Sequence, residues 1–277
     1  MKAATLCIAL GSVLMAQPPA PGPAIQPAST IHLFDGKSLD SFYTWLQDER
    51  YSDPNRVFTV VDAIDGAPAI RVSGQGFGGF ITKNAYKNYK LVVEFRWGMV
   101  TWGKRADRSR DSGILLHAQE REGNSQKDFN GPWMRSIEFQ IIEGGTGDII
   151  LVGGYEANGE LLAPAISART RKDRDGETVF DPKGQPDRYT KGRINWWGRD
   201  EDWTDTLAFR GRQDVESPWG QWTRLEAICD GGRLTYYVNG KLVNEGSDAN
   251  LTEGRILLQT EGAEIYFRKI DLEPLPR

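Results

Sequence analysis

The chain has 277 residues, with 34 Lys and Arg against 38 Asp and Glu, a formal net charge of −4, two cysteines and two histidines. Basic residues are interleaved with acids throughout, so no basic stripe exists to follow a phosphate backbone, and no nucleic-acid partner is expected. Two histidines exclude a His-rich zinc site, and the chain has no G-x-S-x-G, P-loop or H-E-x-x-H motif.

In chain order, Lys2 precedes a mostly apolar run from Ala3 to Met15 that ends at Ala16. A core of about 12 apolar residues is short for a bilayer span, which needs about 20, and matches a secretory signal peptide. Residues 1–16 are therefore expected to be a signal, an uncleaved anchor being the alternative, and the protein to be exported to the periplasm or the outside. No later run is long enough to cross a membrane. Cleavage removes Cys7 and leaves Cys229 alone, so no internal disulfide is available and the domain relies on its core. Residues 17–30 are rich in Pro and Ala and read as a linker.

From Ile31 the pattern is that of strands bounded by glycine and polar turns. Strands are predicted at Val57–Val61, Ala69–Ser73, Phe80–Thr82, Tyr89–Trp97, Ser112–Gln119, Arg135–Ile142 and Ile149–Val152. Five more follow at Trp222–Cys229, Arg233–Val238, Lys241–Glu245, Gly254–Thr260 and Ile265–Glu273. Asn239-Gly240 marks a tight hairpin. No segment carries a 3.6-residue apolar period, and there is no internal repeat. The expectation is one all-β sandwich domain over 31–277, interrupted around 155–221 by a charged segment containing Trp196, Trp197, Trp203 and Trp219. Tryptophans there either line a sugar-binding surface or pin the insertion to the sandwich.

Strand alternation sorts side chains by face. Leu91, Val93, Phe95 and Trp97 oppose Glu94 and Arg96. Ile114, Leu116 and Ala118 oppose His117 and Gln119. Ile137, Phe139 and Ile141 oppose Glu138 and Gln140, and Ile256 and Leu258 oppose Gln259 and Glu261. If these strands are neighbours in one sheet, Glu94, Arg96, His117, Glu138, Gln140, Gln259 and Glu261 share its outer face. Glu, Gln, Arg and a scarce His are more pointed than the Lys, Thr and Ser of an ordinary solvated face.

The segment Glu138-Phe139-Gln140-Ile141-Ile142-Glu143 resembles the E-x-D-x-x-E strand of retaining jelly-roll β-glucanases. There a bulge brings the last Glu to the face of the first, and the two carboxylates act as nucleophile and acid. Here Gln140 replaces the middle acid.

The chain resembles the DUF1080, or 3-keto-disaccharide hydrolase, domain family from about Ile31 to Leu275. The carriers are Leu33-Phe34-Asp35-Gly36-Lys37-Ser38-Leu39, Glu94-Phe95-Arg96, Asp111-Ser112-Gly113-Ile114, Glu138-Phe139-Gln140-Ile141, Val238-Asn239-Gly240, and Gly254-Arg255-Ile256-Leu257-Leu258-Gln259 through Phe267-Arg268. Two positions depart from the family pattern: Asp111 stands for the usual Asn, and Glu143 for Asp. The resemblance implies a concanavalin A-like jelly roll of two curved antiparallel sheets, export, and action on glycosides oxidised at the sugar C3.

A C3 ketone acidifies the C2 proton, so a base can remove it and expel the C1 substituent, after which water adds. This chemistry needs a general base, donors for the enolate and an acid for the leaving oxygen. Glu138 or His117 is expected as base, Arg96 or Arg268 at the enolate, and Gln140 and Gln259 on sugar hydroxyls. Glu94, Glu261, Trp196 and Trp197 complete the expected substrate contacts. No cofactor is required. A divalent cation, Ca²⁺ or another, is compatible with the enolate step, although no ligand set is evident; Asp200, Glu201, Asp202 and Asp205 form an acidic run that reads as a solvated face. The partner is an oxidised glycoside. Two alternatives stand beside this reading: a non-catalytic carbohydrate-binding sandwich, and a hydrolase of ordinary β-glucans using Glu138 and Glu143. Oligomeric state is not readable from the sequence.

Overall fold

The computed structural model describes residues 18–275; the expected signal peptide and Cys7 lie outside them. The chain forms a jelly-roll β-sandwich, and the only helix among the described residues is a single 3₁₀ turn, Gly103–Arg105. The front sheet runs, in spatial order, Gly192–Ile194, Ile149–Val152, Arg135–Ile142, Asp111–Gln119, Arg255–Glu261, Phe77–Thr82 and Phe42–Leu46. The back sheet runs Lys241–Gly246, Arg233–Val238, Thr223–Asp230, Tyr89–Thr101, Ala263–Pro274, Ala67–Val72 and Phe58–Ile64, with Ile31–His32 paired to Ala263–Pro274. All paired strands are antiparallel.

The core lies between the sheets and is built from the apolar sides of the alternating strands. Ile114, Leu116, Ile137, Phe139 and Ile141 of the front sheet meet Val93, Phe95, Leu225, Tyr236 and Phe267 of the back sheet, all of them buried. Phe139 stacks on Tyr236 with centroids 4.2 Å apart, and Phe80 meets Phe267 edge-on at 5.8 Å. Cys229 is buried in this core, where desolvation pushes its thiol up to about 12, so it behaves as an inert apolar side chain. The hairpin at Asn239-Gly240 forms with Val238 opposite Lys241 and both turn residues at positive φ, 48° and 78°. This is the geometry of a type I′ turn, which needs Asn-Gly.

Two segments differ from the sequence expectation. Part of the stretch read as linker is tied to the domain: Ile25 bridges Tyr86, and Arg255 donates to the Pro19 carbonyl at 2.8 Å. The charged insertion contains its own antiparallel sheet, Thr178–Phe180, Ile166–Lys172 and Gln185–Tyr189. These short strands carry exposed Arg, Lys, Pro and Asp residues, so their alternation is hard to see. They cap the sandwich where both sheets would otherwise end in open edges: Val179 bridges Asn195 beside the front-sheet edge, and Ser167 bridges Ser247 at the end of the back-sheet edge strand. Of the four tryptophans in the insertion, Trp196 is buried in the core, and Trp203 donates to the Glu143 carbonyl at 2.9 Å. Trp219 stacks under Arg110 at 4.1 Å.

Candidate active site

The outer face of the front sheet is defined by cross-strand register. One row runs Arg193, Ile150, Glu138, Leu115, Leu257, Ile81 and Tyr43, each opposite the next on adjacent strands. In the next row Gln140 faces Gly113, while Gln259 and Trp45 flank Gly79. Alternation places Asp111 and Glu261 one step further along the same face. Four of the predicted residues, Glu138, Gln140, Gln259 and Glu261, therefore share one surface, and Asp111 joins them.

Gly113 is the point of convergence. A Cβ there would lie 2.2 Å from Glu138 Oε1 and 2.4 Å from Gln259 Oε1. The glycine is needed because both side chains fold over its Cα. Gln140 Nε2 donates to Asp111 Oδ1 at 2.6 Å, and Arg105 donates to Asp111 Oδ2. Arg105 also bonds Asp205 Oδ1 at 3.1 Å and approaches Glu261 Oε1 at 3.9 Å. Gln259 Oε1 is buried with no donor among the described residues. A protonated Glu138 or a sugar hydroxyl would supply one.

The carboxyls are crowded and poorly solvated, and their acidities move apart. Burial first, then the charge of Asp111, pushes Glu138 up to about 8, against the opposing pull of Arg193. Burial raises Asp111 to about 6, with Arg105 and Arg193 holding it down. Glu261 is raised well above the ordinary range by burial and by the charges of Asp111 and Glu138. At neutral pH this leaves Glu138 mainly protonated beside a mainly ionised Asp111. Arg193 is part-exposed and spends one N–H on Asp148, at 3.3 Å. Its backbone lies two strands, about 10 Å of sheet, from that of Glu138.

The other predicted residues lie elsewhere. Glu94, Arg96 and Arg268 belong to the back sheet and point away from its core on the opposite side of the sandwich. There Arg268 bonds Glu94 at 2.6 Å and Arg96 bonds Asp65 at 2.6 Å, in an ordinary surface ion-pair network. His117 sits at a register shift with φ of 52°. The bulge turns it inward, fully buried, where Nδ1 bonds the Leu251 carbonyl at 2.9 Å and the ring meets Tyr89. Burial lowers its pKa to about 4, so it is a neutral core residue. Trp196 is buried, and Trp197 is exposed and donates to the Leu242 carbonyl of the back-sheet edge strand. Glu143 does not return to the face of Glu138. The register between Arg135–Ile142 and Asp111–Gln119 runs unbroken from Ile137 to Ile142, so there is no bulge to bring it round. Its carboxylate is instead held by Arg110 at 2.7 Å and by the Ala208 N–H at 2.8 Å. The paired-carboxylate geometry of a retaining glucanase is not formed.

Sequence reasoning missed Asp111 as a site residue, together with Arg105, Arg193 and the role of Gly113. Asp111 was within reach: carried back two residues from Gly113, alternation places it on the same face. Arg105 and Arg193 lie in a turn and in the insertion, where periodicity says nothing. No group of three or more His, Cys, Asp and Glu among the described residues is placed to hold a metal ion. In the acidic run, Asp200 pairs with Arg212, Asp202 with Arg174, and Asp205 with Arg105 and Arg108.

The outer face of this jelly roll's front sheet thus gathers carboxyls and amides, with Arg105 beside them. The chain belongs to the 3-keto-alpha-glucoside-1,2-lyase-like domain family, which it matches over residues 29–273. A search of curated proteins gave no match. Among solved structures it is similar to two candidate glycosyl hydrolases of Parabacteroides distasonis ATCC 8503. One is 16% identical, with 90% of this chain and 94% of that chain covered and a TM-score of 0.48. The other is 18% identical, with 89% and 99% covered and a TM-score of 0.46. A Bacteroides ovatus mixed-linkage-glucan GH16 protein is 9% identical over 88% of this chain and 98% of that one, with a TM-score of 0.44.

Proposed function

We propose that the front-sheet face cleaves glycosides oxidised at C3, with Glu138 as the general base. The observation that carries this reading is the convergence of Glu138, Asp111, Gln140, Gln259 and Glu261 around Gly113. The ionised Glu138 carboxylate takes the C2 proton. The C–H electron pair forms the C2–C3 double bond of an enolate whose charge rests on the C3 oxygen. Collapse of the enolate restores the ketone, forms the C1–C2 double bond and breaks the C1–O bond. The leaving oxygen takes the proton back from Glu138, and addition of water across C1–C2 completes net hydrolysis. Arg193 and Arg105, rather than Arg96 or Arg268, supply positive charge for the enolate. Gln259 Oε1 accepts from a sugar hydroxyl, and Gln140 holds Asp111 in place.

A base raised to about 8 is strong when ionised but scarce at pH 7. On this mechanism kcat/KM rises with pH, up to about tenfold per unit below the inflection, and levels off above it. Arg193→Met removes a charge that lowers the Glu138 pKa, so the inflection moves to higher pH; a pH–rate profile of both proteins checks this. The test of the reaction itself is deuterium at C2 of a 3-keto-glucoside. A primary isotope effect on leaving-group release is expected in single-turnover measurements, and no effect together with no C2 exchange into solvent would contradict proton abstraction there. Export is also proposed, on the N-terminal pattern of Lys2 and the apolar run to Ala16; recovery of the native protein from the cytoplasmic fraction alone would contradict it.

A further inference from the structure

A cleft of about 740 Å³ lies between the insertion sheet and the back-sheet edge strand Lys241–Gly246. A second, of about 350 Å³, adjoins it across Phe180, Pro182 and Leu242 and reaches Trp197. These volumes fall in the range of ligand clefts. No residue lining either is part of the Glu138 cluster.

Trp197 is 39% exposed, whereas its neighbour Trp196 is 1% exposed. The exposed indole is nevertheless fixed. Its Nε1–H donates to the Leu242 carbonyl at 2.6 Å, and its ring packs against Trp196 with centroids 5.4 Å apart at 77°. A large apolar ring left in water contributes little burial to the fold, but when held rigid it offers contact area at small entropic cost. The polar groups around it are planar. Four arginines and four carboxylates line the joined clefts, so the net charge is zero and neither a polyanion nor a cation is favoured. Several donors are available. Arg171 bonds no described residue through its side chain, and Arg169 and Arg188 donate to main-chain carbonyls or a serine hydroxyl rather than to a carboxylate. A fixed aromatic platform flanked by balanced planar donors and acceptors matches a sugar ring, which has apolar C–H faces and an equatorial girdle of hydroxyls.

We infer that these joined clefts form a second carbohydrate site, which takes a neutral oligosaccharide with one ring stacked on Trp197 and hydroxyls bonded to Arg171 and Asp181. The inference goes beyond the proposed reaction, since it concerns retention on a glycan rather than turnover. The test is affinity electrophoresis of the full protein in native gels containing soluble β-glucan, xylan or galactomannan, with alginate as the anionic comparison. At least one neutral polymer is expected to retard the wild type. Trp197→Ala should weaken that retardation at least tenfold while turnover of a 3-keto-glucoside and the melting temperature stay unchanged. Arg171→Ala, at an exposed side chain without partners among the described residues, should weaken it in the same gel, which keeps the test decisive if Trp197→Ala folds poorly. The inference is overturned if none of the three neutral polymers retards the wild type, if alginate alone does, or if both variants run as the wild type does. Retardation without any 3-keto turnover would support this site while counting against the proposed reaction.

Discussion

Glu138→Gln should lower kcat/KM on a 3-keto-glucoside about a thousandfold, within the range that general acid–base catalysis contributes. The substitution keeps shape and hydrogen-bonding capacity and removes only the ability to take a proton. Its effect on stability should have the opposite sign. A carboxyl whose folded pKa is raised from 4.5 to about 8 destabilises the fold progressively as pH rises between those values, because ionisation in the buried site is resisted. The amide has no such cost. The variant should therefore melt no lower than the wild type at pH 7 and higher at pH 9. Full activity in the variant would remove Glu138 from the mechanism, and a lower melting temperature at pH 9 would show that its acidity has been misjudged.

Gly113→Ala is expected to lower kcat/KM about a hundredfold, the scale of a displacement of about 1 Å at a reacting group. The added methyl would sit 2.2 Å from Glu138 Oε1 and 2.4 Å from Gln259 Oε1, so both side chains must swing away. Each is the free end of a flexible chain, so the fold should tolerate the change better than the site does. Kinetics and a thermal melt on the same preparation separate the two effects. Unchanged kcat/KM would mean that the two side chains do not need their places over Gly113.

The sandwich was readable because its strands alternate cleanly. All twelve predicted strands occur, most with ends shifted by one to four residues. Phe42–Leu46 and the insertion strands escaped because they are short or carry exposed charges and prolines. The site was half readable for a specific reason. Alternation tells which side of a strand a residue occupies but not which of two sheets the strand joins. Glu138, Gln140, Gln259 and Glu261 share one surface because their strands do belong to one sheet. Glu94, Arg96 and Arg268 follow the same pattern in the other sheet, whose outer face is equally polar. His117 failed differently. The register shift between Leu116 and Gln119 reverses the alternation midway through its strand, so His117 turns into the core and Ala118 turns outward. Asp111 lay one residue before the predicted start of its strand, and the arginines that serve it come from segments without periodicity.

The most direct test of the account compares leaving-group release from a 3-keto-glucoside with release from the same glucoside left unoxidised. The ketone is what makes the C2 proton removable by a carboxylate, so the oxidised substrate should be cleaved and its parent should not. Cleavage of the unoxidised glucoside at a comparable rate would contradict the proposed chemistry of the Glu138 face.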